Sequence, residues 1–588
     1  MRNAKIVCTL GPASDDTDCI DGLVEAGMSV ARLNASHGST DHRATIIDRI
    51  RAVDEQRDDC VATILDLPGP EIRTASIEDD RTIELPDGDT VQFVVGETVT
   101  TDVIGLSTDI TGVEPGDRVL IDDGRIETTV TAVDGDAVTA TVESGGPLRS
   151  RMGVNIPGVD LDLAMITESD REELELAVEK AVDFVAASFV KNGDDVYAVS
   201  ETLEALGADV PVIAKIERAA AVENLPSIID EAYGVMIARG DLGVECPLEE
   251  VPLIQKRIIR QCHQAGVPVI TATEMLDSMV HERRPTRAEA TDVANAVLDG
   301  TDALMLSGET AVGDHPVRVV ETMDRIIRDI EASEEYDEAR EQRVPRADAT
   351  QTDALARSGR FLARDVNAQA IVAASESGYT ALKAAKYRPD MPVVTSTPDQ
   401  RVRRRLALSW GVVPRYTPFS NEGADAVISK AARAAIDAGI ADSGDTVVIL
   451  SGMLTELEGT NTTNMLKVHV VADTIASGRP IVDGRVSGPV FRAPNGDLTD
   501  APDGAIVAVP DDFEGEFAGD LHRIGGLIDG HGGVTGYAAI VARELGIPMI
   551  SNVTLPTHIE DGETVTLDGE RGIIYEGPIG SPESIGSR

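Results

Sequence analysis

The sequence predicts an α/β protein built around a closed parallel (β/α)8 barrel, with further domains attached to it. Short apolar runs recur between segments of helical periodicity from residue 6 to about residue 335. Two of these runs, Val212–Ile216 and Val235–Ala238, each deliver charged residues at their carboxyl ends. Parallel barrels collect their chemistry from the carboxyl ends of several strands, and this pattern is typical of them.

The predicted barrel has two parts, residues 1–69 and 156–335. Its first strands are the apolar runs Ile6–Leu10 and Val61–Leu65. After Pro68-Gly69-Pro70 the composition becomes rich in Thr, Val, Gly and Asp, which predicts a small all-β module inserted at residues 70–155. The later strand candidates are Phe184–Ala187, Val212–Ile216, Val235–Ala238, Val269–Ala272 and Ala303–Leu306.

Two more domains are predicted beyond the barrel. The charged stretch 331–350, which includes Pro345, is interpreted as a linker. A second α/β unit follows at residues 351–475, and the Gly-rich segment 480–588 is interpreted as a separate appended domain. Their clearest predicted elements are the strands Ala370–Ala374, Val393–Ser396, Thr446–Leu450 and Ala505–Val509 and the helix Ala538–Leu545.

The charge composition predicts the setting in which the protein works. Asp and Glu total 102 against 52 Lys and Arg, a net charge of -50, and only nine residues are Lys. Such a surface suits very high salt, where a Debye length of about 3 Å screens the self-repulsion. We therefore expect a cytoplasmic protein of a high-salt cytosol that dilute buffer destabilises. Nucleic acid is excluded as a partner, since no basic stripe could displace counterions from phosphates.

Cysteine usage and hydropathy exclude other classes. The five Cys residues are odd in number and contain no C-x-x-C, so neither a disulfide framework nor a zinc site is expected. No apolar stretch approaches the roughly 18 residues of a membrane span, and the start leads directly into a strand-like run. We expect no signal peptide and no membrane partner.

The two charged strand ends carry the strongest chemical signal. Lys215 and Glu217 alternate by two, so on a strand they share one face, and Glu217 and Asp241 could share one hard divalent cation. A cation beside a metal-binding carboxylate suits an anionic substrate such as a phosphate or an enolate. The alternative is a charged strand end satisfied by solvent or an ion pair.

A second polar group follows an early strand. Asn34 and Ser36 alternate onto one face, and Asp66 ends the next strand. Their oxygens suit a hard monovalent or divalent cation, and the fork of donors on Arg32 suits a phosphate. The alternative is an ordinary strand-to-loop transition.

Three hydroxyl-bearing loops are also candidates. Thr273 and Ser307 follow predicted strands and are interpreted as helix caps, with either hydroxyl able to double as a polar site group. The loop Ser375–Thr380, between a strand and a helix, could cradle a phosphate with its backbone N–H groups. A capped helix is the alternative there too.

In their order along residues 1–475, these motifs resemble the pyruvate kinase family. The resemblance implies a barrel with an inserted β-barrel lid domain and a C-terminal α/β effector domain. It also implies a homotetramer that transfers the phosphoryl group of phosphoenolpyruvate to ADP, giving pyruvate and ATP, in the last step of glycolysis. The motifs are Lys5–Ser14, Ala31–Gly38, Gly69–Thr74, Ala214–Glu217, Ala238–Gly243, Arg284–Glu289, Asp292–Gly300 and Leu306–Thr310.

The same resemblance implies roles at the catalytic centre. Glu217 and Asp241 are expected to hold Mg²⁺ (or Mn²⁺), which also contacts phosphoenolpyruvate. Lys215 is expected to stabilise charge on the phosphoryl group and then on the enolate, and Arg32 to bind the phosphate. Gly240 allows close backbone approach to the substrate. A threonine hydroxyl is a poor acid, so Thr273, with Ser307, is expected to hold a water or relay beside the enolate carbon.

Cation and nucleotide contacts are implied at the neighbouring loops. Asn34, His37 and Arg73 are the implied nucleotide-binding residues. The implied K⁺ ligands are Asn34, Ser36, Asp66 and the backbone oxygen of Leu67, although the family usually has Thr-Lys where this chain has Leu67-Pro68. Glu71 occupies a position where Glu accompanies a potassium requirement, which predicts K⁺ activation.

The loop near residue 375 is implied to be an effector pocket for a phosphorylated ligand, either a sugar phosphate or a nucleotide monophosphate. Its expected contacts are Ser375, Ser377, Gly378 and Thr380.

The appended segment resembles a different module, the swivelling phosphohistidine domain of enzymes that use phosphoenolpyruvate, of β/β/α type. The resemblance lies in Gly532–Thr535 and Ala538–Pro548. Ser-His is expected after Thr535, but this chain has Gly536-Tyr537. A tyrosine of pKa about 10 cannot replace the phosphate-accepting imidazole, and His531 lies six residues upstream. We predict no phosphotransfer through this domain and a structural or regulatory role.

Two other functions are alternatives to phosphoryl transfer by a kinase. A Mg²⁺-dependent lyase or aldolase acting on pyruvate enolate would not need the inserted lid or Arg73. A catalytically silent metabolite sensor predicts a broken site, yet the sequence retains Lys215, Glu217, Asp241 and Arg32. Both alternatives are therefore disfavoured.

Overall fold

The computed structural model describes residues 2–57, 59–418, 424–452 and 463–579. The chain divides into two compact units. The first comprises residues 1–360, 373–419 and 451–464, and the second comprises residues 361–372, 420–450 and 465–588.

The first unit begins with three barrel strands, continues through the strands of the inserted module and then completes the barrel. The first strands are β1 (Lys5–Thr9), β2 (Val30–Asn34) and β3 (Ala62–Asp66). The inserted module contributes β4 (Ile72–Arg73), β5 (Ile83–Leu85), β6 (Thr90–Val95), β7 (Val103–Leu106), β8 (Arg118–Ile121), β9 (Ile126–Asp134), β10 (Ala137–Ser144), β11 (Gly146–Leu148) and β12 (Gly153–Asn155). The barrel resumes with β13 (Phe184–Ala187), β14 (Val212–Ile216), β15 (Gly234–Ala238), β16 (Val269–Ala272) and β17 (Ala303–Leu306).

Helices surround these strands. Those up to residue 342 are α1 (Thr17–Ala26), α2 (Thr40–Glu55), α3 (Glu168–Glu179), α4 (Gly193–Ala205), α5 (Ala219–Glu223), α6 (Leu225–Glu231), α7 (Arg239–Glu245), α8 (Val251–Ala265), α9 (Arg287–Asp299), α10 (Gly308–Ala311), α11 (Pro316–Glu331) and α12 (Glu334–Gln342). Short 3₁₀ turns lie at Glu78–Asp80, Leu248–Glu250 and Asp277–Val280. Local signals begin and end several helices. Thr286 and Glu289 form a capping box at the start of α9, and Gly300 ends it at φ +93°.

Eight parallel strands close into a barrel in the order β1-β17-β16-β15-β14-β13-β3-β2. Each strand is apolar on both faces because it lies between two layers. One buried cluster draws side chains from all eight strands, including Val7, Phe184 and Met236. The other cluster joins the opposite strand faces to the surrounding helices. This arrangement leaves the polar residues at the carboxyl ends of the strands to line one rim.

The inserted module is all-β, as the composition predicts. It contains a seven-stranded sheet in the order β4-β12-β8-β9-β10-β6-β7 and a two-stranded sheet of β11 and β5. Its core is a separate apolar cluster that includes Phe93, Ile104 and Val119. The module is therefore a folded unit in its own right, carried between β3 and α3.

The predicted linker at residues 331–350 is wrong in part, because α12 lies within it. Ser333 caps this helix by accepting a hydrogen bond from the Tyr336 N–H at 3.2 Å. Tyr336 is buried, and its hydroxyl accepts from Trp410 Nε1 at 3.0 Å. The high charge of this stretch belongs to the exposed face of a helix that one aromatic side chain anchors.

The α/β segment beyond α12 forms a five-stranded sheet in the order β20-β19-β18-β21-β22. Its strands are β18 (Ala370–Ala374), β19 (Val393–Thr397), β20 (Val412–Tyr416), β21 (Thr446–Ser451) and β22 (Met465–Val470). Its helices are α13 (Gln351–Asp365), α14 (Tyr379–Lys386), α15 (Gln400–Arg405) and α16 (Ala424–Asp437), with a 3₁₀ turn at Leu406–Leu408.

The C-terminal segment forms an eight-stranded mixed sheet in the order β23-β30-β29-β25-β26-β27-β28-β24. Its strands are β23 (Thr474–Ser477), β24 (Arg479–Val482), β25 (Arg485–Arg492), β26 (Ala505–Val509), β27 (Ile524–Asp529), β28 (Met549–Ser551), β29 (Thr564–Asp568) and β30 (Ile573–Glu576). A 3₁₀ turn lies at Leu521–Arg523, and α17 (Tyr537–Leu545) connects β27 to β28. The fold class is thus confirmed: a closed (β/α)8 barrel with an inserted β module, a C-terminal α/β segment and an appended mixed-sheet domain. Throughout the described part of the chain, each helix is too short or too polar to cross a bilayer.

Candidate active site

Lys215 lies at the centre of a buried network on the carboxyl rim of the barrel. Its Nζ donates to Ser188 Oγ at 2.7 Å and lies 3.2 Å from Glu217 Oε2 and 3.5 Å from Asp66 Oδ1. Burial alone would lower the pKa of Lys215, but the carboxylates of Asp66 and Glu217 outweigh it and raise that pKa above its ordinary value. The ammonium group therefore stays charged at neutral pH.

Asp66 orients the neighbouring arginine. Its Oδ2 accepts from Arg32 Nε at 2.7 Å and lies 2.6 Å from Arg32 Nη2, while Arg32 Nη1 donates to Thr9 Oγ1 at 3.0 Å. Burial would raise the pKa of Asp66, but Lys215 and Arg32 hold it below its ordinary value. Three of the N–H groups of Arg32 are thus occupied, and an arginine has five, so two remain for an anionic ligand.

Glu217 is a buried carboxylate in a site with excess negative charge. It is only 4% exposed, and its Oε1 accepts from the Phe189 N–H at 2.5 Å. Burial, and after it the negative charge of Asp241, raises the pKa of Glu217 to about 7 in spite of the opposing effect of Lys215. Among the described residues, no three His, Cys, Asp or Glu side chains gather around one point as metal ligands. Glu217 and Asp241 are two carboxylate groups near enough to interact.

Thr273 lies on a strained turn directly after β16. Its backbone φ is +67° and that of Glu274 is +52°, in a region that β-branched residues rarely adopt. The hydroxyl of Thr273 donates to the Ala272 carbonyl at 2.7 Å and accepts from the Gly240 N–H at 2.8 Å. Such a conformation costs about 1–3 kcal/mol and persists only where surrounding contacts hold it. From a separate loop, the hydroxyl of Thr273 thus satisfies an N–H group in the first turn of α7.

Ser307 is joined to the Thr273 turn by a buried carboxylate. Glu309 is 1% exposed; its Oε2 accepts from the Ser307 N–H at 2.6 Å and its Oε1 from the Leu276 N–H at 3.0 Å. Ser307 precedes α10, but its side chain makes no capping hydrogen bond. A side-chain cap is therefore not supported for Ser307, whereas the Thr273 hydroxyl binds the first turn of α7. The Glu309 carboxylate joins the loops that follow β16 and β17.

The second predicted polar group forms a chain of contacts on the loops after β2 and β3. Asn34 Oδ1 accepts from the Ser36 N–H at 3.1 Å, and Ser36 Oγ donates to Glu71 Oε1 at 3.3 Å. Glu71 Oε2 in turn accepts from Arg73 Nε at 2.7 Å and lies 2.6 Å from its Nη2. The backbone oxygen of Leu67 accepts from the hydroxyl of Ser188 at 2.7 Å. Ser188 thereby connects this group to Lys215.

A cleft of about 560 Å³ brings parts of both groups together with residues of the inserted module. This volume is in the range of sites that hold small-molecule ligands. Asp123, in the β8–β9 turn, belongs to the lining, and burial followed by the charge of Asp241 raises its pKa. The cleft is lined by His37, Glu71, Arg73, Asp122, Asp123, Arg149, Arg151, Asn155 and Asp241, among others.

The loop Ser375–Thr380, which is predicted to be an effector pocket, leads into α14. Gly378 begins α14 at φ +81°, and Ser377 Oγ accepts from the Tyr379 N–H at 3.4 Å, a long capping contact. The hydroxyl of Thr380 is buried and pairs with Thr463 Oγ1 at 2.8 Å. The Ser375 N–H donates to the Ser396 carbonyl at 3.1 Å. Part of the loop is thus engaged within the protein, and the capped-helix alternative retains some support.

Tyr537 and His531 occupy separate positions in the appended domain. Tyr537 is the first residue of α17, is 37% exposed and packs on the Phe517 ring at a centroid distance of 5.7 Å. His531 lies on the loop after β27, where its N–H donates to Asp529 Oδ1 at 2.9 Å and its Nδ1 lies 3.2 Å from the Asp511 carbonyl.

Sequence reasoning missed several residues of the site. Ser188 and Phe189 follow β13, and neither belongs to a charged strand end. Asp123 comes from the inserted module, and Arg239 lies within the motif Ala238–Gly243, which by itself indicates no role for it. A strand that ends in Ser188 at the same rim was a usable signal for that residue alone.

Three models of known protein families match successive parts of the chain. Residues 1–320 match the family model described as pyruvate kinase, barrel domain, and residues 353–469 match pyruvate kinase, alpha/beta domain. Residues 501–572 match PEP-utilising enzyme, mobile domain.

Full-length relatives show the same order of domains. The chain is 42% identical to a pyruvate kinase of Geobacillus stearothermophilus and 41% identical to one of Bacillus licheniformis, in each case over 98% of this chain and 99% of the relative. The crystal structure of a pyruvate kinase from Cryptosporidium parvum superposes with a TM-score of 0.73 at 35% identity. The superposition covers 80% of this chain and 96% of the Cryptosporidium parvum chain.

Proposed function

The chain belongs to the pyruvate kinase family and is a phosphotransferase, and from that premise we propose how its own residues move a phosphoryl group from phosphoenolpyruvate to ADP. The observation that carries the proposal is the buried contact of Lys215 with Glu217, with Asp66 and Arg32 beside it. One rim of the barrel thus holds a charged ammonium group, a guanidinium group with two remaining N–H donors and a pair of carboxylates.

Glu217 and Asp241 would hold the divalent cation, Mg²⁺ or Mn²⁺. The raised pKa of Glu217 reflects burial and unrelieved repulsion from Asp241, which a hard cation between the two carboxylates would remove. Such an ion supplies charge neutralisation at the substrate oxygens and a template for their orientation.

Lys215 and Arg32 act on the migrating group. Arg32, fixed by Asp66 and Thr9, directs its two remaining donors at the phosphate. Lys215 stays protonated and neutralises first the charge on the transferring phosphoryl group and then the charge on the enolate oxygen. Gly240 allows the substrate to approach the backbone after β15.

Thr273 serves the final proton transfer. When the phosphoryl group has left, the enolate carbon must take up a proton to give pyruvate. Thr273 holds a water or relay at that carbon, with Ser307 on the adjoining loop, and is not the sole donor because its hydroxyl is a poor acid.

Asn34, His37 and Arg73 would contact the nucleotide, and Arg73 is oriented for this by Glu71. K⁺ would be bound by Asn34, Ser36, Asp66 and the carbonyl of Leu67. These are oxygen ligands only, as a hard cation prefers. The ion would add positive charge beside the residues that we propose to bind the phosphate.

Further proposals concern the whole chain. We assign residues 1–69 and 156–335 to the catalytic barrel, 70–155 to the lid, 351–475 to the effector domain and 480–588 to the swivelling-type domain. Ser375, Ser377, Gly378 and Thr380 would bind a phosphorylated effector. A homotetramer is proposed from the family, and the acidic composition supports work in a high-salt cytoplasm.

A coupled assay tests the proposed activity. Protein in molar KCl with Mg²⁺, phosphoenolpyruvate and ADP should form pyruvate and ATP in equal amounts. Absence of both products in a folded sample would overturn the kinase and leave the lyase and the silent sensor as the alternatives. Pyruvate formation without ATP would indicate hydrolysis of phosphoenolpyruvate, and it would also overturn transfer to ADP.

A further inference from the structure

We infer that Arg239 is a positioning residue for the proton-transfer step, because it holds the strained turn on which Thr273 lies. The inference rests on the proposed function of Thr273 and adds a residue to which no role has been given. Arg239 is the first residue of α7 and immediately precedes Gly240 and Asp241.

The guanidinium of Arg239 binds two successive carbonyls of the Thr273 turn. Its Nε donates to the Ala272 carbonyl at 3.0 Å, and its Nη2 donates to the Thr273 carbonyl at 2.7 Å. The planar fork of an arginine supplies two such donors in fixed geometry, which the single ammonium of a lysine cannot reproduce. The same Nη2 also lies 2.8 Å from Met275 Sδ, on the far side of the turn.

The turn needs such external contacts. Thr273 and Glu274 are consecutive residues with positive φ, and neither is glycine. Two consecutive left-handed residues revert to relaxed backbone unless the surrounding structure holds them. Arg239 binds the carbonyls on either side of the Thr273 Cα, so it constrains the φ and ψ of that residue directly.

The arginine is itself held in place. Its Nη1 lies 2.7 Å from an Asp292 carboxylate oxygen on α9 and 3.4 Å from Gln255 Oε1 on α8. Only 14% of the Arg239 side chain is exposed. The link therefore runs from helices packed outside the barrel, through Arg239, to the turn.

The contacts of Arg239 also bear on the Thr273 hydroxyl, the group proposed to serve the enolate carbon. The Gly240 N–H donates to Thr273 Oγ1 at 2.8 Å. Arg239 therefore binds the backbone carbonyls of the Thr273 turn, and its neighbour Gly240 binds the Thr273 hydroxyl. The segment that carries the proposed metal ligand Asp241 thus also sets the hydroxyl that serves the enolate carbon. Loss of the guanidinium fork should displace the Thr273 hydroxyl without removing any group that contacts the phosphate.

Proton transfer can be measured separately from phosphoryl transfer. In the reverse direction a pyruvate methyl C–H bond breaks and its proton passes to solvent. The enzyme in D₂O with pyruvate, ATP, Mg²⁺ and K⁺ should therefore exchange methyl hydrogens for deuterium, which proton NMR follows. We expect Arg239→Lys to slow this exchange by about 10- to 100-fold, the range that a displacement of roughly 1 Å produces. The KM for phosphoenolpyruvate should change by less than about threefold, because uniform substrate binding is retained.

A double-mutant cycle with Thr273→Ala decides whether Arg239 acts through the turn. If it does, Arg239→Lys slows exchange strongly in the wild-type background and by less than about threefold in the Thr273→Ala background. Additive effects, or unchanged exchange in Arg239→Lys, would overturn the inference and leave the function of Thr273 standing. Unchanged exchange in Thr273→Ala would instead remove the role of Thr273, and the inference with it.

Two further variants keep the test informative. Asp292→Asn keeps Arg239 but weakens its support, so it should slow exchange in the same direction and to a smaller extent; it replaces Arg239→Lys in the cycle should that variant not fold. Arg328→Lys is the matched control, since exposed Arg328 donates to Asp324 Oδ2 at 2.6 Å near the carboxyl end of α11, the end of that helix far from the loop after β17. Slower exchange in the control as well would overturn the inference.

Discussion

The ammonium nitrogen of Lys215 lies 3.2 Å from Glu217 Oε2; Lys215 is the penultimate residue of the apolar strand β14, and Glu217 directly follows that strand. The contact keeps the ammonium charged at the point where we propose that the phosphoryl group moves, beside a carboxylate that we propose as a ligand of the divalent cation.

Replacement of Lys215 by Met should abolish most of the turnover. Methionine retains the length of the side chain but removes the charge that stabilises the phosphoryl group and the enolate. Steady-state assays should show a loss in kcat of about 10³-fold, as for other preorganised charged donors. Lys180→Met, at a surface ion pair with Asp48, is the control and should keep wild-type turnover. Full activity in a folded Lys215→Met sample would refute the assignment.

His263 should make stability depend on pH. Burial, and then the charge of Arg388, lowers the pKa of His263 from 6.5 to about 3 in the folded protein, and its Nε2 lies 2.9 Å from the Lys386 carbonyl. Between pH 6.5 and 3 the unfolded chain binds a proton here that the folded chain does not, so stability falls as the pH falls through that window. From pH 7 to pH 5 the loss should reach about 2 kcal/mol.

His263→Gln tests this pH dependence, since glutamine retains a donor for the carbonyl and does not titrate. Urea unfolding in molar KCl at pH 7 and pH 5 should show a drop in unfolding free energy that is about 2 kcal/mol smaller in the variant. The same drop in both proteins would contradict a neutral buried His263.

Potassium should activate the enzyme. The proposed K⁺ ligands Asn34, Ser36, Asp66 and Leu67 are all oxygen donors, and a large organic cation cannot enter their site. With K⁺ replaced by tetramethylammonium at equal ionic strength, kcat should fall by about tenfold or more. A melting temperature measured in both salts controls for loss of structure. Undiminished activity without K⁺ would count against the site.

Salt should stabilise the fold. The net charge of -50 produces self-repulsion that molar salt screens. Denaturant unfolding should therefore give a free energy that rises steadily from dilute buffer to molar KCl. Repetition in tetramethylammonium chloride separates this general screening from binding of K⁺. A flat or falling trend would remove the argument for a high-salt cytosol.

The appended domain should not carry phosphate. Tyr537 starts α17 where the motif would place the acceptor imidazole, and a phenol does not replace an imidazole as phosphate acceptor. Incubation with phosphoenolpyruvate labelled at phosphorus, followed by gel filtration, should leave no label on the protein. If label is found on the protein, the prediction of no phosphotransfer would be wrong. The variants His531→Gln and Tyr537→Phe would then identify the residue that accepts the phosphate.

Much of the fold could be predicted because its signals are local. The strands Phe184–Ala187, Val212–Ile216, Val269–Ala272 and Ala303–Leu306 have the predicted bounds, since a strand buried on both faces is a continuous apolar run. The linker predicted at 331–350 contains the helix α12. High charge indicates solvent exposure, but it does not distinguish a coil from the outer face of a helix. Tyr336 could reveal the difference only through its contact with Trp410, far along the chain.

The sequence by itself determined the barrel, its inserted β module and the pairing of Lys215 with Glu217, because alternation along one strand puts two side chains on the same face. Only the tertiary structure decided that Ser188 links Lys215 to the Leu67 carbonyl, that Glu309 joins the loops after β16 and β17, and that Arg239 holds Thr273 in a strained turn. These contacts join residues that are 27 to 121 positions apart in the chain. Their energies depend on three-dimensional proximity and burial, which no local pattern encodes.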